Sequence, residues 1–397
     1  MDTKLFKVLQ KASNDSMYYK ELFEKCGFDS SNCNMGQFVN IPYLTRKQLN
    51  LRSQDILHKD FRYVNRKELL IERTSGSTGH FVEVFWNYNE FVSSNMSLWR
   101  KRYKWYGISP SDRKCTFFTD AMATDKILYK HNSLEFSSVY MGENDIKNYL
   151  VNIQMFQPKW LMISPSIALL LLDYCRKNSV VLPKSVKYIE LFGENVSSTA
   201  YECIVDYFNV PTSIMYGAKE VNGIGLTCPY GHMHVLDDNN YVEVTDQGSI
   251  IITNLHNTYF PIIRYEIGDM VTMANIECPC GENSLIIDKI YGKNHYLTYL
   301  DKRSGITTGL LKNVVDEVDA IFDYPIIQFK IQYSNDIIII HLFCKHEYNR
   351  WKKEIESAFH QKLQCCLRNA TKVDIQFHNS PLPHNEYTGK LPIVEIN

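Results

Sequence analysis

Much of what this 397-residue chain could be is excluded by what it lacks. No apolar stretch approaches the roughly 18 residues that a membrane-spanning helix needs. The densest run, Asp336 to Cys344, reads as a buried strand. The opening, MDTKLFKVLQKASND, has no apolar core and no small-residue cleavage site, so no export leader is expected. A soluble, cytoplasmic protein is the expectation, with no membrane partner. Net charge is nearly missing as well. With 43 basic against 44 acidic side chains the formal charge is −1, too little to recruit nucleic acid or an anionic surface. No basic run is interleaved with aromatics as an RNA platform requires, so nucleic acid is not an expected partner. There is no internal repeat and no low-complexity linker. Eleven cysteines in so long a chain without a leader read as reduced thiols, a few of them recruited to a metal.

What is present suggests two domains, because the length exceeds that at which one core usually stops growing. Residues 4–26 carry apolar positions at helical spacing, with Leu5, Val8 and Leu9 beginning one face. In IPYLTRKQL (41–49), Thr45 is placed to cap a helix starting near Arg46. A long aromatic helix is expected over 89–106, ending before Gly107. Strand-like runs at 114–119, 160–164, 188–192 and 212–216 then alternate with helical runs at 145–156, 166–178 and 197–208. That alternation predicts βαβ units and a largely parallel sheet. From Tyr241 the pattern changes to strands with short turns, including 248–253. Beyond about Gly292 a helix (309–319), two strands (325–333, 336–344), a helix (346–362) and a strand (371–377) predict a small two-layer α+β domain.

Residues 74–79 read Thr74-Ser75-Gly76-Ser77-Thr78-Gly79, between the apolar pair Leu69-Leu70 and the β-like run 81–84. Two glycines permit close backbone approach, and three hydroxyls with freed N–H groups can surround a phosphate. Read alone, the segment is more commonly a solvated hairpin turn. It is not a Walker A loop, since no Gly-Lys-Ser/Thr ending is present and His80 follows the last glycine.

The hexapeptide resembles the phosphate-binding loop of the adenylate-forming superfamily. The upstream IPYLTRKQL narrows the resemblance to the branch of phenylacetate–CoA ligases and CapK-like proteins. Further phrases follow in the family's order, from about residue 15 to 390. Phe192-Gly193-Glu194 is similar to the Gly-Ala-Glu turn that borders adenine. Met215-Tyr216-Gly217-Ala218-Lys219-Glu220 resembles Tyr-Gly-x-x-Glu, whose aromatic packs on adenine and whose Glu helps hold Mg²⁺. Pro261 to Asp269, PIIRYEIGD, resembles the phrase whose Asp accepts hydrogen bonds from the ribose hydroxyls, a task that suits the two oxygens of a carboxylate. Thr388-Gly389-Lys390 resembles the terminal phrase whose lysine stabilises charge between the acid and the α-phosphate. The chain departs from the family at His80, where a Lys is usual, and at Gly292-Lys293-Asn294-His295, where an Arg and acidic hinge residues are usual.

Cys228-Pro-Tyr-Gly-His232-Met-His234 and Cys278-Pro-Cys280 supply enough N and S ligands for a tetrahedral site, although any one of these cysteines alone reads more readily as a buried free thiol. By the resemblance the zinc ligands are Cys228, His234, Cys278 and Cys280, with His232 the competing choice.

The resemblance thus implies an α/β fold. A large N-terminal ATP- and acid-binding domain with mixed sheets (1–292) would precede a small α+β lid (293–397). It implies an AMP-forming carboxylate ligase in which ATP meets residues 74–79, Glu194, Tyr216, Gly217, Asp269 and Lys293. Mg²⁺ would sit on Glu220, and Lys390 and Glu220 would be catalytic. A small carboxylic acid, aryl or amino, is the expected substrate. The acyl group would pass to CoA, a carrier-protein thiol, an amine or a hydroxyl. A non-catalytic nucleotide-binding relative is the alternative of another class, and a monomer or homodimer is expected.

Overall fold

The computed structural model describes residues 3–61, 69–73, 82–118, 125–293, 299–301, 306–322, 325–334, 337–366, 372–383 and 394–396. The chain divides into two compact units, Met1–Pro110 with Ser213–Gly292, and Ser111–Thr212 with Lys293–Asn397. Among the described residues no helix is long and apolar enough to cross a membrane.

The first unit opens with two helices where the periodicity predicts one. Thr3–Asp15 and Met17–Cys26 are broken at Ser16, whose backbone is extended and whose hydroxyl accepts from the Tyr19 N–H. An N-capping serine competes with helix continuation, which a count of apolar spacing does not register. The second helix ends at Gly27, in the left-handed conformation that closes its last turn. The helix Arg46–Leu51 starts at Thr45, which forms a reciprocal capping box with Gln48. Tyr88–Tyr106 runs from Asn87 to Gly107 much as expected.

The sheet of this unit is built from short strands. Pairings from Thr212–Ala218 through Asn222–Thr227 and Met233–Val235 to Ile286–Lys293 are antiparallel. So are those joining Asn240–Val244, Ser249–Asn254 and Tyr265–Ala274. The parallel pattern therefore ends at the turn after Ala218, earlier than the change expected at Tyr241. A hairpin needs only two strands and a tight turn, and the glycines at 217, 223 and 225 hide the alternation by which strands are recognised. The core joins the N-terminal helices to this sheet: Tyr19, Phe38, Leu44, Trp86, Phe260 and Tyr265 are all essentially inaccessible. Burying Phe38 or Phe260 contributes roughly 2–3 kcal/mol each.

In the second unit the strands Tyr188–Phe192, Trp160–Ile163, Lys114–Phe118 and Ser133–Ser137 are neighbours in that order and run parallel, with Ile127–Lys130 antiparallel at the edge. Helices Glu143–Phe156, Pro165–Asn178 and Ser198–Phe208 form the crossovers. Ser164 caps the middle one and Pro165 begins it, so both sequence signals for a helix start coincide.

The C-terminal part of this unit is a four-stranded sheet ordered Lys372–His378, Ile337–Cys344, Ile326–Ser334, Val394–Ile396. Helices Thr308–Ile321 and Lys352–Cys366 cover one face, where Leu311, Val315, Val318, Ile355 and Phe359 pack on Ile331, Ile338, Ile340 and Leu342. The strand Val394–Ile396, parallel to its neighbour, lies beyond the predicted elements. The run 346–362 begins as a 3₁₀ turn over His346–Trp351 before becoming α-helical.

Candidate functional site

Three of the singled-out residues meet in the first unit. Tyr216 leaves its strand to donate its phenolic O–H to Oδ2 of Asp269, 2.7 Å away on the strand Tyr265–Ala274. Burial, then the negative charge of Asp269 and this bond, push the Tyr216 phenol well above its ordinary range, so it acts as a donor at all ordinary pH. The next residue has to be glycine. A Cβ on Gly217 would stand 2.8 Å from the backbone oxygen of Asn222, across the hairpin. Gly268, at φ +85°, turns the backbone immediately before Asp269.

Glu220 lies in the turn of that hairpin and is 4% exposed. Its Oε1 accepts from the Tyr265 hydroxyl at 3.1 Å and faces an Arg46 guanidinium nitrogen at 3.5 Å. Both contacts fall on Oε1. A carboxylate oriented through one oxygen can offer the other to a magnesium ion that takes its remaining ligands from phosphates and water. Burial and the Glu220 charge hold the Tyr265 phenol far above its usual range. The turn itself is fixed from afar: the side-chain amides of Asn239, Asn240 and Asn254, all buried, donate to the Val221 carbonyl.

Arg46 and Tyr265, both in contact with Glu220, are candidate site residues that the sequence did not assign. Each lies inside a phrase used for recognition, IPYLTRKQL and PIIRYEIGD, so the signal available was their co-occurrence. Arg264 binds the two phrases together. Its guanidinium pairs with both oxygens of Glu243 at 3.1 and 2.9 Å and donates to the carbonyls of Val39 and Ile41. The backbones of Leu44, Arg264 and Glu266 exchange two further hydrogen bonds of 2.9 and 3.0 Å. Arg264 adopts φ +48°, unusual for a side chain with a Cβ, and is held there by its N–H bond to Thr253 Oγ1 at 2.9 Å.

Glu194 is in the second unit. After Gly193, at φ +82°, its carboxylate takes the Ser166 N–H at 3.1 Å and the Ser166 hydroxyl at 3.0 Å. It thus sits at the positive N-terminal end of the helix Pro165–Asn178. Residues 74–79, His80, His295 and Thr388 to Lys390 lie outside the described residues, as does the Lys293 side chain. The strands Leu70–Arg73 and Glu83–Trp86 flank the 74–79 segment in antiparallel register, and Arg73 pairs with Glu83 at 3.0 Å.

Elsewhere in the first unit, one donor atom from each of Cys228, His234, Cys278 and Cys280 lies within 4.8 Å of the others. Cys228 and Cys278 sulfurs are 3.6 Å apart, and Cys280 is 3.2 Å from His234 Nε2. A zinc ion with Zn–S near 2.3 Å sets tetrahedral sulfurs about 3.8 Å apart. The donor set therefore fits a closed structural site. His234 is inaccessible, and its Nδ1 meets Ser284 Oγ at 3.1 Å, which orients Nε2 toward the sulfurs. His232 also reaches the cluster, with Nδ1 3.1 Å from the Cys278 sulfur. Burial raises the Cys278 thiol, but hydrogen bonds led by His232 outweigh it and bring the group to about 6; burial pushes Cys280 up to about 11.

No protein-family model matches the chain. It is similar to the protein CapK of Staphylococcus aureus, 20% identical over 355 residues that span 85% of this chain and 76% of CapK. A phenylacetate–coenzyme A ligase of Thermus thermophilus is 26% identical over 157 residues, 36% of this chain and 35% of that one. In fold it resembles a 2-hydroxyisobutyryl-CoA ligase solved with an acyl-AMP in its postadenylation state. That likeness has a TM-score of 0.75 at 17% identity, covering 99% of this chain and 88% of the ligase. Sequence phrases, fold and relatives point the same way: the chain is similar to members of the adenylate-forming superfamily, on the phenylacetate–CoA ligase and CapK-like branch.

Proposed function

We propose that this protein activates a carboxylic acid with ATP, releasing pyrophosphate and holding the acid as an acyl-AMP, and then passes the acyl group to a thiol such as CoA. The observation that carries the reading is the convergence of three phrases on one corner of the first unit: Tyr216 bonded to Asp269, with Glu220 anchored by Arg46 and Tyr265. Asp269, fixed by the Tyr216 hydroxyl, receives the ribose hydroxyls. Gly217 lets the backbone approach the base. Glu220, oriented through Oε1, offers its other oxygen to Mg²⁺. The hydroxyls and N–H groups of residues 74–79 surround the β- and γ-phosphates, and Glu194 and Lys293 border the nucleotide. Lys390, brought by residues 293–397 acting as a lid, stabilises the charge that develops as the carboxylate attacks the α-phosphate.

Exchange of labelled pyrophosphate into ATP across a panel of aryl and amino acids tests the first half-reaction. Lys390→Ala is expected to lower exchange by about a hundredfold or more, as loss of an oxyanion-stabilising group does. Unchanged exchange removes Lys390 from the mechanism, and ATP binding without exchange for every acid favours a non-catalytic relative. Product mass with CoA, a carrier-protein thiol or an amine identifies the acceptor.

The four-ligand cluster holds structural zinc through Cys228, His234, Cys278 and Cys280. Elemental analysis should find one zinc per chain, lost in Cys280→Ser but retained in His232→Ala; loss in His232→Ala would exchange the two histidines.

A further inference from the structure

The C-terminal sheet carries a pair of imidazoles that acid activation does not use. His341 stands between Ile340 and Leu342, both inaccessible on the side covered by helices. Alternation along the strand therefore puts His341 on the opposite face, where it is half-buried. His378 ends the neighbouring parallel strand, opposite Phe343 and hence diagonal to His341. His341 Nδ1 and His378 Nε2 are 3.0 Å apart. On the other flank, His341 Nε2 is 3.2 Å from Oε1 of Gln332.

The hydrogen bonds fix the tautomers. An amide oxygen only accepts, so His341 carries its proton on Nε2 and presents a lone pair at Nδ1. His378 must then donate from Nε2 into that lone pair. Moving the His378 proton from Nε2 to its own Nδ1, by exchange with solvent, turns both facing nitrogens into ligands without any net change in protonation.

We propose that His341 Nδ1 and His378 Nε2 form a two-imidazole site for a divalent transition ion of the nickel–copper type, with Gln332 holding the His341 ring in its ligating tautomer. The two nitrogens already face one another at 3.0 Å, the spacing of their hydrogen bond, and a small turn of either ring aims both lone pairs at one ion with metal–nitrogen bonds of about 2.0–2.1 Å. Two imidazoles alone favour the divalent ions of highest intrinsic affinity, nickel and copper, with water completing the shell from the half-exposed side. Gln376, directly across from His341, is held by Asp374 at 2.7 Å and is not needed as a ligand. The site is independent of the acyl-transfer reading.

The test is a calorimetric titration of Ni²⁺ into the full-length, tag-free protein with its Cys/His cluster first saturated with zinc. One saturable ion per chain is expected in addition to the zinc. His341→Ala and His378→Ala should each weaken binding at least tenfold. Gln332→Ala, which leaves both ligands in place, should weaken it about 10–100-fold, and Gln332→Glu, which keeps an acceptor, should restore it. Unfolding curves without nickel, superimposable among the variants, separate lost binding from lost fold. No saturable uptake, or an isotherm unchanged in the H341A/H378A double variant, overturns the site. Unchanged affinity in Gln332→Ala overturns the part given to the glutamine.

Discussion

Glu220 and Asp319 are acidic side chains held in contrasting company. Glu220, in the hairpin turn of the first unit, has a guanidinium and a phenol against one oxygen. Asp319, near the end of the helix Thr308–Ile321, has one peptide donor, the Ile326 N–H at 2.7 Å. It lines a cavity of about 20 Å³, room for roughly one water, together with Asp173 and the buried Lys345. Burial outweighs the Ile326 bond and the more distant Lys345 charge, and lifts the Asp319 carboxyl to about 7. A carboxyl taken from water must be matched by a cation in contact or keep its proton. The first unit uses the cation, and the second keeps the proton.

Removing the cation should break the contrast most forcefully. Arg46→Ala takes the cation from a buried carboxylate and is expected to cost about 3 kcal/mol, read by chemical denaturation. Adding Glu220→Gln in that background should recover most of the loss; strictly additive effects would mean the two side chains are not coupled. A second prediction uses pH. The unfolded chain titrates Asp319 near 3.8 and the folded chain near 7, so the folded state binds the extra proton between these values. Its stabilising contribution is complete below 3.8, declines as pH rises, and is gone above about 7. It amounts to at most about 4 kcal/mol. Asp319→Asn should flatten stability across that window, and an unchanged pH profile would mean that water or Lys345 compensates the carboxylate. The smallest effect is expected for Tyr216→Phe. Loss of its bond to Asp269 should cost about 1 kcal/mol of stability, together with weaker ATP binding if Asp269 needs that donor to be oriented. Calorimetry of ATP binding to both proteins compares them.

Local chemistry was readable from the sequence wherever its signal is local. Thr45 with Gln48, Ser164 with Pro165, and Gly107 after the aromatic helix all mark helix ends through neighbours within four residues. Ser16 carries the same kind of signal but lies inside an unbroken apolar pattern, so one helix was expected where two form. The site was readable as separate phrases. Tyr216, Glu220 and Asp269 each stand out in the sequence, but the bond between Tyr216 and Asp269 joins residues on different strands. Arg46 reaches Glu220 only after the chain has returned through the whole intervening region. Periodicity has no term for such partners. Glu194 shows the same limit: nothing near it in sequence indicates that Ser166 will take both its oxygens.

Arg264 has a consequence for the order in which the protein can be made. It donates to the carbonyls of Val39 and Ile41, and its own carbonyl accepts from Leu44. At about 5–20 residues per second, a ribosome needs some ten to forty seconds to travel from Leu44 to Arg264. For most of that interval Phe38 and Leu44, destined for the core, lack the strands from Thr212 onward that they pack against. The parallel strands of residues 111–212 are complete well before that wait ends. The nascent chain thus carries completed parallel strands behind an unpaired N-terminal segment, and that segment is the part in greatest need of a chaperone during translation.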